Sequence, residues 1–324
     1  MPGIVGRALT RQCGAGIGRC SRAAAKLREE PCVTPSTPPP AAPAACTLAA
    51  LSLHPIKSCA GIAVADALLV ETGLELDRAF MVVDPAGAML TQRELPRLAL
   101  VHPTLRGDEM VLRAPGMLAL HVRLDTVEAP TRVQVWRDIV KAFDMGALAA
   151  QWFSDFLGRP ARLVRFDPDE RRLSDPAWTG TLQAEAAFAD GFALLVANAA
   201  SLADLNARLA AHGAAPVTMA RFRPNLVLDG LQPYDEDHLA AIEIDTPEGP
   251  VRLRLVKPCV RCAIPNIDPA TAEAGAEPGA TLAGYRADPR LQGGITFGVN
   301  AVVEQGVERV LRSGQAVRPV WAFA

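Results

Sequence analysis

The sequence predicts a mostly β (α+β) fold, with an N-terminal β-barrel-like domain and a β-rich second half carrying one or two helices. Three observations predict it. Short apolar runs recur between Pro and Gly breaks from residue 47 onward. Apolar residues at helical spacing stand out in only two segments, 146–157 and 201–211. The 324 residues are 50% hydrophobic and 21% charged, which supplies a large core and suits two domains of ordinary size.

The folded part is expected to open with Thr47–Leu53, an apolar run entering His54-Pro55. Val64–Val70 and Ala79–Asp84 continue as strands. The second ends in Asp84-Pro85-Ala86-Gly87, a turn signal because Pro presets φ and Gly tolerates the left-handed region. Met89–Gln92, Leu98–Val101, Met110–Arg113 and Leu118–Leu124 follow at short spacing. In 146–157, Leu148, Trp152 and Phe156 share one helical face, and Gly158 is a natural stop. The charged, turn-rich stretch 166–180 reads as a linker. Ala193–Ala197 reads as a buried strand. In the helix 201–211, Leu202, Leu205 and Leu209 form the stripe, and Ser201 with Asp204 resembles a capping box. Residues 224–228, the alternating 251–256, and 295–311 complete the strands, with Gly294 and Gly298 as bends. The expected domains are therefore 47–165 and 181–324.

Charge and cysteine usage exclude several classes. Lys+Arg is 33 against Asp+Glu 35, too balanced for a dedicated nucleic-acid binder. No apolar run approaches the ~18 residues of a membrane span. Residues 1–50 carry six basic residues and two acids, and 31–43 hold six prolines, so 1–46 is expected to be a disordered basic, Pro-rich tail. Within it Gly14-Ala15-Gly16-Ile17-Gly18 lacks the preceding strand of a dinucleotide fingerprint. Seven cysteines without a secretion signal do not make a disulfide scaffold, so a cytoplasmic protein with reduced thiols is expected.

The chemistry concentrates in Lys257-Pro258-Cys259-Val260-Arg261-Cys262. Pro258 is expected to end the preceding strand and leave both thiols in a loop. Thiolates select soft redox metals and zinc, and flanking cations favour the thiolate. C-x2-C is half a zinc site, but the body has no second C-x2-C and no His pair at ligand spacing. Two loop thiols without function, a zinc ligand pair and a redox-metal ligand all stay open on spacing alone. Further polar groups precede or follow strands: Lys57-Ser58, Asp77-Arg78, Asp190-Gly191-Phe192 and Arg221-Phe222-Arg223-Pro224-Asn225. Arg and Lys bind phosphate as fork and point charge respectively, so together they suit an anionic, metal-bearing cofactor.

The ordered set HPIKSC, LDRAF, TQRELPRL, ASLADLN, RFRPNLVL and KPCVRCAIPNIDP resembles the MOSC family with its N-terminal β-barrel domain, in particular the amidoxime-reducing components and their bacterial counterparts. The resemblance runs from about residue 47 to the end. It implies a C-terminal MOSC β-barrel, a molybdenum cofactor (Mo-molybdopterin), and reduction of hydroxylamines, amidoximes or N-hydroxylated bases. Cys262 is the implied molybdenum ligand and catalytic residue, Cys259 its less favoured neighbour. Lys57, Ser58, Arg78, Arg223 and Asn225 are the implied pterin and phosphate contacts. Asp190, Gly191 and Phe192 align with a cofactor-contacting loop whose hydroxyl residues are here Gly and Phe, leaving backbone contacts. Arg261 belongs to the same implied set, and Val260 replaces a polar residue there. After Cys262 there is no further cysteine, so no plant-type ferredoxin motif follows, and a separate ferredoxin, flavoprotein or b-type cytochrome is the implied electron donor. Related cofactor sulfurases join a MOSC domain to a pyridoxal-phosphate domain, which makes a cofactor-binding carrier without turnover the alternative.

Overall fold

The structure, a computed structural model, describes residues 45–126 and 128–322. Expectations for the basic, Pro-rich segment ahead of residue 45 lie outside the described residues. The described residues are mostly strand, as the composition and turn spacing predict. No helix among them is long and apolar enough to cross a membrane.

The largest sheet has nine strands. Eight lie in the order Val317–Trp321, Leu239–Thr246, Gly249–Val260, Gly294–Gln305, Leu194–Asn198, Leu226–Asp229, Thr47–Leu53 and Ile62–Val64. Its pairing is antiparallel except between Leu194–Asn198 and Leu226–Asp229. Parallel neighbours need a crossover, and helix Ala199–Ala211 lies in that connection. The first strand among the described residues thus sits in a sheet otherwise built mainly from the second half. A four-stranded sheet joins Phe80–Val83, Arg162–Phe166, Asp138–Asp144 and Ala129–Val135. His102–Arg106, Glu109–Arg113 and Leu120–Arg123 form a three-stranded meander.

Alternation explains which faces are buried. In 249–256 the odd residues Val251, Leu253 and Leu255 enter the core while Arg252 and Arg254 point away. They pack with Leu48, Leu51, Val196, Leu226, Leu228, Ile242 and Ile244. A second cluster gathers Ile56, Phe80 and Leu98 under helix Ala147–Leu157. Gly298, expected as a bend, lies inside the continuous strand Gly294–Gln305; its φ is +73°, and a Cβ there would stand 2.8 Å from the Val196 carbonyl oxygen, which requires Gly.

Several local expectations are corrected. Residues 98–101 are no strand: Pro96–Leu100 is a 3-10 turn, opened by Pro, which lacks the N–H a ladder needs. Met89–Gln92 makes only isolated bridging at Met89. Leu148 is 72% exposed, and the buried stripe of its helix is Ala149, Trp152, Phe153 and Phe156. The 199–211 helix begins earlier than expected, because Asn198 caps it by accepting from the Ala200 N–H at 3.0 Å. Ser201 instead lies buried and donates to Glu236. Val64–Val70 is interrupted at Ala65. Strand Gly249–Val260 runs through Pro258, where register shifts on either side accommodate the missing donor, so Cys259 and Val260 are strand residues. The stretch 166–180 holds a short helix, Pro176–Thr179, capped by Asp175.

Candidate cofactor cleft

One open cleft of about 870 Å³ is lined by all twelve residues that the family resemblance implies for the site: Lys57, Ser58, Arg78, Asp190, Gly191, Phe192, Arg223, Asn225, Cys259, Val260, Arg261 and Cys262. Lys57 and Ser58 follow the first strand, and Arg78 precedes Phe80–Val83. The 190–192 loop precedes Leu194–Asn198, and Arg223 and Asn225 precede Leu226–Asp229.

The cations are held in place by fixed acceptors, among them the buried Asp77 and Asn225. Asp77, nearly solvent-free, accepts from the His54 backbone N–H at 2.7 Å and from Arg78 Nη1 at 2.5 Å. Burial alone would raise its carboxyl, but Arg78 and the His54 bond outweigh it and hold the pKa at about 2. Arg78 also donates to Asn225 Oδ1 at 3.0 Å and to the Arg223 carbonyl at 3.0 Å. Asn225 Oδ1 in turn accepts the Leu195 N–H at 3.1 Å, tying Arg78 to the start of an interior strand of the large sheet. Lys57 Nζ donates to the Phe188 carbonyl at 2.7 Å and to Asp190 Oδ1 at 2.5 Å. Burial lowers the Lys57 pKa, while Asp190 pulls it back. Surrounding protein alone would raise the Asp190 carboxyl, yet Lys57 keeps it below the ordinary carboxylate range.

Arg223 donates to the Cys59 carbonyl and has no carboxylate ion-pair partner among the described residues. Burial and the neighbouring Arg78 bring its pKa down to about 10. Ser58, Arg78 and Arg223 all take left-handed backbone, at φ 66°, 48° and 57°. None is Gly, and such conformations persist only where the surroundings enforce them.

The two thiols differ. Cys259 is half-buried and accepts from Arg261 Nη1 at 3.0 Å. Arg261 Nη2 is anchored on the Phe222 carbonyl at 2.8 Å, and its Nε is buried without an acceptor. Cys262 is exposed to the cleft. The cleft therefore offers an accessible thiol and more positive than negative charge, which suits a soft metal attached to an anion. Among the described residues no three His, Cys, Asp or Glu side chains converge as metal ligands, so the geometry gives a structural zinc no ligand set.

A match to the MOSC N-terminal beta barrel domain covers residues 45–160, and one to the MOSC domain covers 183–318. The chain belongs to the MOSC family. This MOSC protein is 35% identical over 250 residues to the mitochondrial amidoxime-reducing component 1 of Homo sapiens, covering 74% of this chain and 72% of that one. It is 33% identical over 276 residues to the mitochondrial amidoxime reducing component 2 of Rattus norvegicus, covering 80% and 79%. It is also 31% identical over 273 residues to the molybdenum cofactor sulfurase of Arabidopsis thaliana, covering 78% of this chain but 32% of that one.

The MOSC cleft contains residues the sequence reasoning passed over. Thr91, Arg93, Trp136 and Asn300 also line it. Thr91 and Arg93 stand in the TQRELPRL motif, which was the available signal. Arg172, from the supposed linker, is buried and grips the 187–190 loop. It donates to the carbonyls of Ala187, Ala189 and Asp190 at 3.0, 2.6 and 3.1 Å, and to Asp138 Oδ2 at 2.8 Å.

Proposed function

We propose that this cleft holds a molybdenum cofactor and that the protein reduces N-hydroxylated compounds with electrons from a separate donor. The observation that carries the reading is an exposed thiol, Cys262, facing guanidinium and ammonium groups left without full neutralisation in one cleft. The residues present fit such a group. Lys57, Arg78 and Arg223 would hold the phosphate, with Asp77 fixing Arg78. Ser58, Asn225 and the backbone of Gly191 and Phe192 would flank the pterin, with Val260 and Arg261 on the opposite strand end. Cys262 would supply the thiolate to the metal, since Cys259 is already engaged by Arg261.

When bound, the molybdenum supplies two-electron redox chemistry suited to removing oxygen from an N–OH group. The overall conversion takes R–NHOH, two electrons and two protons to R–NH2 and water. A ferredoxin, flavoprotein or b-type cytochrome would deliver the electrons. The protein's part is to fix the metal through Cys262, neutralise the phosphate and shape the mouth of the cleft. We place it in a reducing, cytoplasmic setting, where its cysteines stay thiols.

A carrier that binds cofactor without turnover is the second reading, favoured by the similarity to the Arabidopsis sulfurase. The two separate in one assay. Molybdenum-loaded protein, reduced methyl viologen and benzamidoxime should yield benzamidine. A loaded protein that forms none would establish the carrier.

A further inference from the structure

Trp136 is an unusual residue for its place. Val135 pairs with Asp138, so Trp136 and Arg137 form the two-residue tip of a hairpin. Trp136 has φ 56°, a conformation such tips normally give to Gly, Asn or Asp. A large aromatic residue has no local reason to be there.

Its contacts supply a reason. Trp136 lines the cleft with Cys259 and Cys262. Its Nε1–H donates to Asp190 Oδ1 at 3.3 Å. The Arg93 guanidinium stands 4.5 Å from the ring centroid and Lys57 Nζ 5.7 Å from it. Three cleft residues thus contact the indole, yet Trp136 keeps 37% exposure. Among the described residues, eight large aromatic side chains, such as Phe80, Phe153 and Trp152, are instead buried in the cores.

We propose that Trp136 is a specificity-determining residue: a rigid wall on which flat, conjugated N-hydroxylated substrates stack, in preference to puckered aliphatic ones. This rests on the reading of the cleft as a reductase site and narrows its substrate class. A fixed ring loses little entropy when a planar partner lands on it. Asp190, beside the indole, offers an acceptor for the amidine nitrogens of such a substrate. A puckered ring gains the same polar contact but not the stacked one.

The test compares benzamidine with cyclohexanecarboxamidine, which share the amidine and differ in ring planarity. Calorimetry on the full-length, molybdenum-loaded protein gives both Kd values. The wild type should favour benzamidine. In Trp136→Ala the ratio of the two Kd values should shrink about two- to ten-fold. Trp136→Phe should restore most of it, and molybdenum content should match the wild type in both variants. A wild type without preference, an unchanged ratio in Trp136→Ala, or molybdenum loss in that variant would overturn the proposal; the last would make the ring part of the cofactor cradle. If the loaded wild type fails to reduce benzamidoxime while the ratio still follows residue 136, the reductase reading falls and the stacking wall stands.

Discussion

Cys259 and Cys262 stand three positions apart, yet their neighbours differ. Arg261 donates to Cys259 and leaves Cys262 open to the cleft. Cys262→Ala should therefore abolish molybdenum content, while Cys259→Ala should keep most of it; elemental analysis of the two variants decides, and reversed losses would transfer the ligand role. Arg78 is a different kind of residue, because it neutralises a carboxylate that is itself buried. Arg78→Ala would strand Asp77, a loss of about 3–5 kcal/mol measurable by urea denaturation. Unchanged stability would mean that Asp77 is satisfied by other groups. The motifs made Lys57, Ser58, Arg78, Arg223, Asn225 and the thiol pair legible. Trp136 and Arg172 were not. Nothing local signals that Trp136 meets a carboxylate 54 positions away, and Arg172 sits in a charged stretch with the composition of an ordinary surface loop.

Alternation and turn chemistry revealed most strands at the level of elements, and they failed where tertiary pairing overrides a local breaker. Pro258 reads as a strand end, yet pairing with Gly294–Gln305 carries the strand on to Val260. Ser201 reads as a cap, yet it is a buried donor to Glu236 beneath the helix start. Glu236 is fully buried, and its carboxyl is pushed up to about 7 by burial, against the Ser201 bond that favours the charged form. The native state then keeps a proton that the unfolded chain releases near 4.5. Stability from this group is complete below that value and is lost as pH rises through about 7. Glu236→Gln removes the titration, so its Tm should gain on the wild type as pH rises from 4.5 to about 7. A constant difference across that window would show that Glu236 does not titrate there.

The molecule as a whole is less divisible than its sequence suggests. The composition breaks at 166–180, but Thr47–Leu53 and Ile62–Val64 extend the sheet that holds most strands of the second half. Residues 181–324 alone would expose the edge Leu226–Asp229, whose Leu226 and Leu228 are fully buried in the intact chain. That fragment is expected to aggregate; a monomeric, cooperatively unfolding fragment in sedimentation and calorimetry would contradict this. Pairing between strands some 175 positions apart leaves no local trace, which is why the sequence marked the segments but not the shared sheet.

The same long-range closure brings the site together. Lys57, Arg78, Asp190, Arg223 and Cys262 come from five separate segments and meet only when the strands pair. The most direct measurement is the metal and pterin content of the full-length protein, purified from a host that makes the molybdenum cofactor. Near-stoichiometric molybdenum, with pterin fluorescence after oxidative release, is the predicted result. Zinc without pterin, or a protein bare of both from that host, would contradict the account.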